Sequence, residues 1–289
     1  MWVAVDIQAR GMRVWVHDQD AVIPLEADLG VSSNEPLVAV LGRLLLPYVK
    51  GAEPLLVLCS GASDPASFAP VPVAPPNGGT AVQVQECDPR MDLRAISGVG
   101  QARPSDFLSG EETAVAGFIA AHPKWDGVLC ITGNHSKWVH ISAGEIVSFQ
   151  TFMTTEMFEL LAQRSSLAGD VGESGWDSDA FALAVSDAMS RPEKMTATLF
   201  SLHADAVLKD PSPAVARARL FGMLVGMELA AARPYWLGQN VAVIGTGDTA
   251  DHYVAALKGQ GVIAPQLDRD KMGLEGLRAA FMSLQTNDA

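Results

Sequence analysis

Cysteine is scarce in this 289-residue chain, and so is positive charge. The three cysteines, Cys59, Cys87 and Cys130, are odd in number and show no CxxC spacing. Neither a disulfide framework nor a thiolate zinc site is therefore expected, and a reducing compartment is. Lys and Arg number 20 against 33 Asp and Glu, a formal net charge of −13. Non-specific binding to nucleic acid or to an anionic membrane needs clustered cations, so neither partner is expected. An anionic small molecule stays open, because a few local cations suffice for it. Long apolar runs are missing as well. The longest uncharged stretch, residues 65–85, holds Pro65, Pro70, Pro72, Pro75 and Pro76 and cannot form a spanning helix. The chain opens Met1-Trp2-Val3-Ala4-Val5-Asp6, without the basic and apolar regions of a leader, so no signal peptide is expected and a cytoplasmic location is. Neither a Gly-x-Ser-x-Gly elbow nor an HExxH motif occurs, which removes the usual hydrolase and zincin readings.

What is present is ample core: 48% of residues are apolar, and the length suits two domains. Residues 2–5, 12–17 and 21–25 read as three short strands, and 36–48 as a helix with Leu37, Val40, Leu41, Leu44 and Leu45 at helical spacing. Residues 55–59 form a buried-type strand, and 61–79 a long Pro/Gly-rich loop. Ser109 and Glu112 have capping-box spacing before a helix ending near 121. A second triple-strand pattern follows at 128–132, 137–141 and 145–153. Arg13-Val14-Trp15-Val16-His17 in the first pattern lies against Lys137-Trp138-Val139-His140-Ile141 in the second, about 125 residues later. A duplicated unit of β-meander plus helix is the expectation, one copy per domain. The remainder reads as helices at 156–163, 180–190, 213–233, 251–258 and 272–284, with one strand at 241–244. Gly222 and Gly226 lie four apart on one helix face, where another backbone can approach.

Four stretches carry a family resemblance. Gly133-Asn134-His135-Ser136-Lys137-Trp138-Val139 resembles the G-T-H-x-K-W-V of the 2-dehydro-3-deoxygalactonokinase family. Ser109-Gly110-Glu111-Glu112-Thr113 resembles its R-G-E-E-T, Met153-Thr154-Thr155-Glu156 its M-T-G-E, and Leu224-Val225-Gly226-Met227-Glu228 its L-I-G-x-E. The match spans nearly the whole chain. It implies an α/β, two-domain actin/hexokinase-like (ribonuclease H-like) fold, each domain a five-stranded mixed sheet flanked by helices, with nucleotide in the cleft between. The implied domains are 1–122 and 123–289, with the last helix packing back on the first. The implied reaction is transfer of the ATP γ-phosphoryl group to the 6-hydroxyl of 2-dehydro-3-deoxy-D-galactonate, with Mg²⁺, and self-association into a homo-oligomer is left open. The family's first loop reads D-W-G-T-S-N-L-R-x-W. This chain keeps Asp6, Arg13 and Trp15 but places Gln8, Ala9 and Arg10 near its Gly-Thr-Ser core. The substrate loop expected near 60–68 is also altered, and His203 stands where the family carries Arg.

Phosphoryl transfer depends on positioning and charge neutralisation, so small-residue turns and isolated acids are the candidates. The turn Thr132-Gly133-Asn134-His135-Ser136 lets backbone N–H groups approach phosphate, with Lys137 adding charge; an ordinary solvent-facing hairpin turn is the alternative. Asp6, ending the first strand, is the candidate Mg²⁺ ligand and catalytic acid, or else a turn-initiating residue. Glu111 is the candidate metal-water contact or general base, with Asp64 and Asp106 as alternatives, whereas Glu112 has a capping role available. Arg13, Glu112, Thr154 and Glu156 are candidate sugar-acid contacts. Gly245-Thr246-Gly247 borders the adenosine in the actin-type reading. The same residues fit a G-x-G-x-x-A dinucleotide fingerprint, so a dinucleotide-binding oxidoreductase is one alternative function. An eroded sugar-acid or nucleotide sensor of the same fold is the other. His17, His122, His140 and His252 are scattered and read as surface or core residues.

Overall fold

A strand apolar at nearly every position is one buried on both faces, and β1 (Trp2–Gln8) is such a strand, buried from Trp2 to Asp6. The computed structural model describes residues 1–8, 11–18, 21–27, 36–50, 52–85, 87–209 and 211–287. Ala9 and Arg10 of the altered first loop lie outside the described residues. Two compact units result: 1–126 with 141–148 and 268–289, and 127–140 with 149–267.

In the first unit β2 (Gly11–Asp18) and β3 (Ala21–Ala27) complete an antiparallel meander with β1, pairing Asp6 with Arg13. Met12, Val14 and Val16 alternate inward, as the two-residue period of a half-covered strand requires. After helix α1 (Leu37–Leu45), β4 (Leu55–Ser60) lies parallel to β1, with Asp6 beside Ser60. The 61–79 region, expected as plain loop, contains two single-turn 3₁₀ segments and β5 (Ala69–Pro70). β6 (Val82–Gln83) and β7 (Met91–Ala95) extend the main sheet to the order β3-β2-β1-β4-β7-β6. β8 (Val99–Ala102) and β9 (Ser105–Leu108) join β5 in a small second sheet not anticipated from sequence. Helix α2 (Glu111–Ala121) follows.

The second unit repeats the plan. β10 (Gly127–Ile131), β11 (Ser136–Ser142) and β12 (Glu145–Phe152) form the second meander, although residues 141–148 at its tip cluster with the first unit. Helices α3 (Thr154–Arg164), α4 (Ser178–Ser190), α5 (Met195–Lys209), α6 (Pro213–Ala231) and the short α7 (Arg233–Trp236) come next. α5 was missed in the sequence because its apolar residues do not keep to one stripe: Met195 and Leu202 are buried, whereas Phe200, Val207 and Leu208 are exposed. β13 (Val241–Ile244), α8 (Gly247–Gly259) and β14 (Gln266–Leu267) close the sheet in the order β12-β11-β10-β13-β14. That is the order β3-β2-β1-β4-β7 over again, and the two-domain actin/hexokinase-type α/β fold accounts for both. Among the described residues β13 is followed by α8 and by one two-residue strand, β14. Gly222 and Gly226 let α6 approach α4 closely: a methyl on Gly226 would sit 2.5 Å from the Val185 carbonyl. Helix α9 (Arg269–Asn287) returns to the first unit, where Leu277, Ala280 and Leu284 pack on Trp2, Ala4 and Leu58. Among the described residues no helix is long and apolar enough to cross a membrane.

Candidate functional site

Each unit gathers candidate residues where its central strands end. In the first, the ends of β1 and β4 and the start of α2 crowd together. Gly61 takes φ +81 and a Cβ there would sit 2.7 Å from the Ile7 carbonyl. Gly110, at φ +108, lies 3.5 Å from the Gly61 Cα by the same measure. Only glycine fits such a left-handed, backbone-to-backbone position.

Asp6 sits in this corner, fully buried. Its Oδ2 accepts from Gln8 Nε2 at 3.0 Å and faces an Arg269 guanidinium nitrogen at 3.3 Å, while Oδ1 has no hydrogen-bond partner. Burial pushes the Asp6 carboxyl up from its ordinary pKa, and Arg269 and Gln8 pull it back down. Asp270, beside Arg269 at the start of α9, accepts from Arg13 Nε and from Gln8 Nε2, each at 2.9 Å. Arg13 is therefore committed to an acid of α9.

The expected capping box is displaced. Gly110, not Ser109, is the N-cap of α2, and the Glu112 carboxylate accepts the Gly110 N–H at 2.7 Å. Glu111 accepts the Ser109 N–H at 3.0 Å, so it has a structural bond that the sequence reading denied it. Glu112 is completely buried, and burial together with the adjacent Glu111 pushes its pKa up to about 8. Glu112 thus closes the start of α2 from a completely buried position.

In the second unit the turn after β10 meets α3 and the β13–α8 connection. Thr132 N–H donates to the Ile244 carbonyl at 2.9 Å, and a Cβ on Gly245 would collide with the Thr132 hydroxyl. His135 Nε2 lies 2.6 Å from Glu156 Oε2, and Glu156 N–H donates to the Asn134 carbonyl at 3.2 Å. The structure thus joins two candidates, His135 and Glu156, that the sequence assigned to different ligands. Thr246 caps α8 with its backbone alone, leaving the first amides of that helix without a side-chain cap, and Gly247 takes φ +66. Beside them opens a cavity of about 530 Å³ that includes Asp248, Thr249, His252, Trp176 and Arg217. The Trp176 and His252 rings stack at 3.7 Å, and burial lowers the His252 pKa. His252 is thus a cavity residue, not the scattered histidine expected. A larger cavity, about 700 Å³ between α4, α5 and α6, holds none of the candidates.

Lys137 departs most from its expected place. It is 5% exposed on β11, and its ammonium donates to Thr151 Oγ1 at 3.1 Å rather than extending into solvent. Ser136, Lys137, Trp138 and Val139 are all buried, so this part of β11 is covered on both faces and the side chain of Lys137 is enclosed whichever way it points. Thr154 is also buried, bonded to Glu228.

Three participants escaped the sequence reading. Arg269 and Asp270 had no local signal, since their partners lie more than 250 positions away. Glu228 did have one: it ends the Leu224-Val225-Gly226-Met227-Glu228 stretch that carries the resemblance and is the only acid in the nineteen residues of α6, but it was given no role at the site. Its carboxylate, 2% exposed, accepts from Ser136, Trp138, Thr154 and Tyr253.

Comparison with known proteins adds a family. The model of the 2-keto-3-deoxy-galactonokinase family matches residues 10–280. The chain is 29% identical to a Rhizobium meliloti (strain 1021) protein designated "Probable 2-dehydro-3-deoxygalactonokinase DgoK1", over 98% of this chain and 97% of that one. It is 24% identical to the 2-dehydro-3-deoxygalactonokinase of Escherichia coli (strain K12), over 96% of each. The crystal structure of a candidate 2-dehydro-3-deoxygalactonokinase from Sinorhizobium meliloti superposes with a TM-score of 0.89 at 29% identity, covering 98% of this chain and 99% of that one.

Proposed function

The chain belongs to the 2-keto-3-deoxy-galactonokinase family, and from that premise we propose that it transfers the γ-phosphoryl group of ATP to the 6-hydroxyl of 2-dehydro-3-deoxy-D-galactonate. The observation that carries the reading is Asp6, a wholly buried carboxylate with one oxygen bonded and the other unpartnered, beside a glycine-walled corner. An unpaired buried oxygen is costly unless a ligand completes it. Among the described residues no cluster of three His, Cys, Asp or Glu could cage a metal ion. That fits Mg²⁺, which usually takes one or two carboxylates and fills its remaining positions with water and phosphate oxygens. Asp6 Oδ1 would hold it, and the ion would neutralise charge on the transferring phosphoryl group.

Other residues of the first unit serve this corner. Arg269 holds the opposite oxygen of Asp6, so the carboxylate cannot rotate freely, and Arg13 with Gln8 fixes Asp270 next to it. Glu111, half-buried at the α2 start, is the remaining acid for accepting the hydroxyl proton. In the second unit, Gly133 and Asn134 would present backbone to phosphate, and His135, paired with Glu156, would face the same turn. Gly245, Thr246 and Gly247 would border the nucleoside, with the 530 Å³ cavity and its Trp176–His252 stack as the apolar wall. Lys137 and Thr154, bonded to Thr151 and Glu228, would support this region from inside.

One observation favours the competing sensor reading: Gln8, which replaces the small residues of the family loop, is tied to both Asp6 and Asp270. It occupies space where a glycine would leave backbone open, so MgATP affinity is expected to be weaker than in relatives with the intact loop. A coupled ADP-release assay over a panel of 2-keto-3-deoxy sugar acids tests the kinase. Turnover on the galactonate-derived acid supports it. No MgATP binding by calorimetry, with or without sugar acid, leaves only the sensor.

A further inference from the structure

Glu228 is unlike every other carboxylate described above, because its acceptor capacity is full. A carboxylate offers about four lone-pair sites. Oε1 takes Ser136 Oγ and Trp138 Nε1, each at 2.7 Å; Oε2 takes Tyr253 O–H at 2.6 Å and the Thr154 hydroxyl. All five residues are at most 5% exposed, so solvent does not compete for these bonds. The donors come from three separate segments. Ser136 ends the turn that follows β10, Thr154 is the first residue of α3, and Tyr253 lies on α8 six residues past Gly247. Met153, the N-cap of α3, makes no side-chain capping bond, so the Thr154 hydroxyl bond to Glu228 is the side-chain anchor of that helix start.

We propose that Glu228 is a positioning residue: one carboxylate on α6 sets the spacing between the 132–136 turn, the start of α3 and the α8 helix. This rests on the kinase reading for its consequence, since those segments carry the groups proposed to meet phosphate and nucleoside. It does not rest on that reading for its geometry. Removing the carboxylate leaves Trp138, which can only donate, and three hydroxyls to rearrange independently, so the three segments lose their common reference. Displacements well under an ångström then fall on the transition state more than on ground-state binding, because binding tolerates slack that in-line transfer does not.

Glu228→Gln is the test, read by amide hydrogen exchange and by steady-state kinetics on the full chain. The expected result is faster exchange, by about ten-fold or more, at 132–136 and 153–156 together, with 55–60 of the first unit unchanged. In the kinetics, kcat falls by about ten-fold or more while KM for ATP and sugar acid stays within about three-fold. Faster exchange confined to α6, or uniform across both units, overturns the proposal, and so does an unchanged kcat in a folded variant. If Glu228→Gln does not fold, Thr154→Val and Tyr253→Phe take its place. Each removes a donor from Oε2 only, and each is expected to loosen the 132–136 turn held by Oε1; unchanged exchange at that turn in both variants overturns the proposal. Should the wild-type chain show no phosphoryl transfer, the kinase reading fails while the exchange data still decide the role of Glu228.

Discussion

Two buried carboxylates, Asp6 on β1 of the first unit and Glu228 on α6 of the second, are satisfied in opposite ways. Glu228 receives four neutral donors from its own unit and keeps no oxygen free. Asp6 receives a guanidinium and one amide on a single oxygen and keeps the other unpartnered. A carboxylate saturated by hydrogen bonds can only hold structure in place. One that is charge-compensated but coordinatively incomplete can still take a ligand. The two sheets share the order of five strands, and the two acids differ in the partners that surround them.

The sharpest way to break this comparison is Arg269→Gln, which strands the buried Asp6 charge. Loss of one member of a buried pair costs about 3–5 kcal/mol, so urea denaturation should show a large drop, partly restored by adding Asp6→Asn. Asp6→Asn alone should lower kcat by about 10²–10³-fold with little change in melting temperature, because a group orienting charge acts mainly in the transition state. A change confined to melting temperature would make Asp6 a purely structural acid.

A smaller effect tests Glu112. Burial pushes its pKa up to about 8 from the ordinary 4.5, so the folded chain keeps a proton that the unfolded chain releases. The stability it contributes is therefore fully present below about pH 4.5 and is lost as pH rises through about 8. Glu112→Gln should flatten that decline, of the order of a few kcal/mol, in melting curves taken between pH 5 and 9. The smallest effect concerns His135 and Glu156, both more than a third exposed. His135→Gln should change stability by under about 1 kcal/mol, and a larger loss by chemical denaturation would mean that the turn is held by this pair instead of by Glu228.

Much of the architecture was legible beforehand. The alternation in 12–17, the apolar runs at 2–5 and 55–59, and the echo of both in 128–141 are local patterns that report which face is buried. Helix α5 was not legible, since apolar residues divided between a buried side (Met195, Leu202) and an exposed one (Phe200, Val207, Leu208) form no single stripe. Of the candidate site, Asp6, the 132–136 turn and Gly245–Gly247 were readable as strand ends and glycine turns. The roles of Glu111, Glu112 and Lys137 were not, because a one-residue shift in a helix cap or a strand face reverses what a side chain meets.

By itself the sequence determined the repeated strand pattern, the family and the glycine turns at the strand ends, because periodicity and glycine act over a few residues. Which acids are compensated, and by what, belonged to the tertiary structure. Asp6 meets Arg269 across 263 positions, and Glu228 meets Ser136 across 92. No local pattern encodes such pairings, and it is the partner, not the carboxylate, that decides whether a buried acid anchors a fold or awaits a ligand.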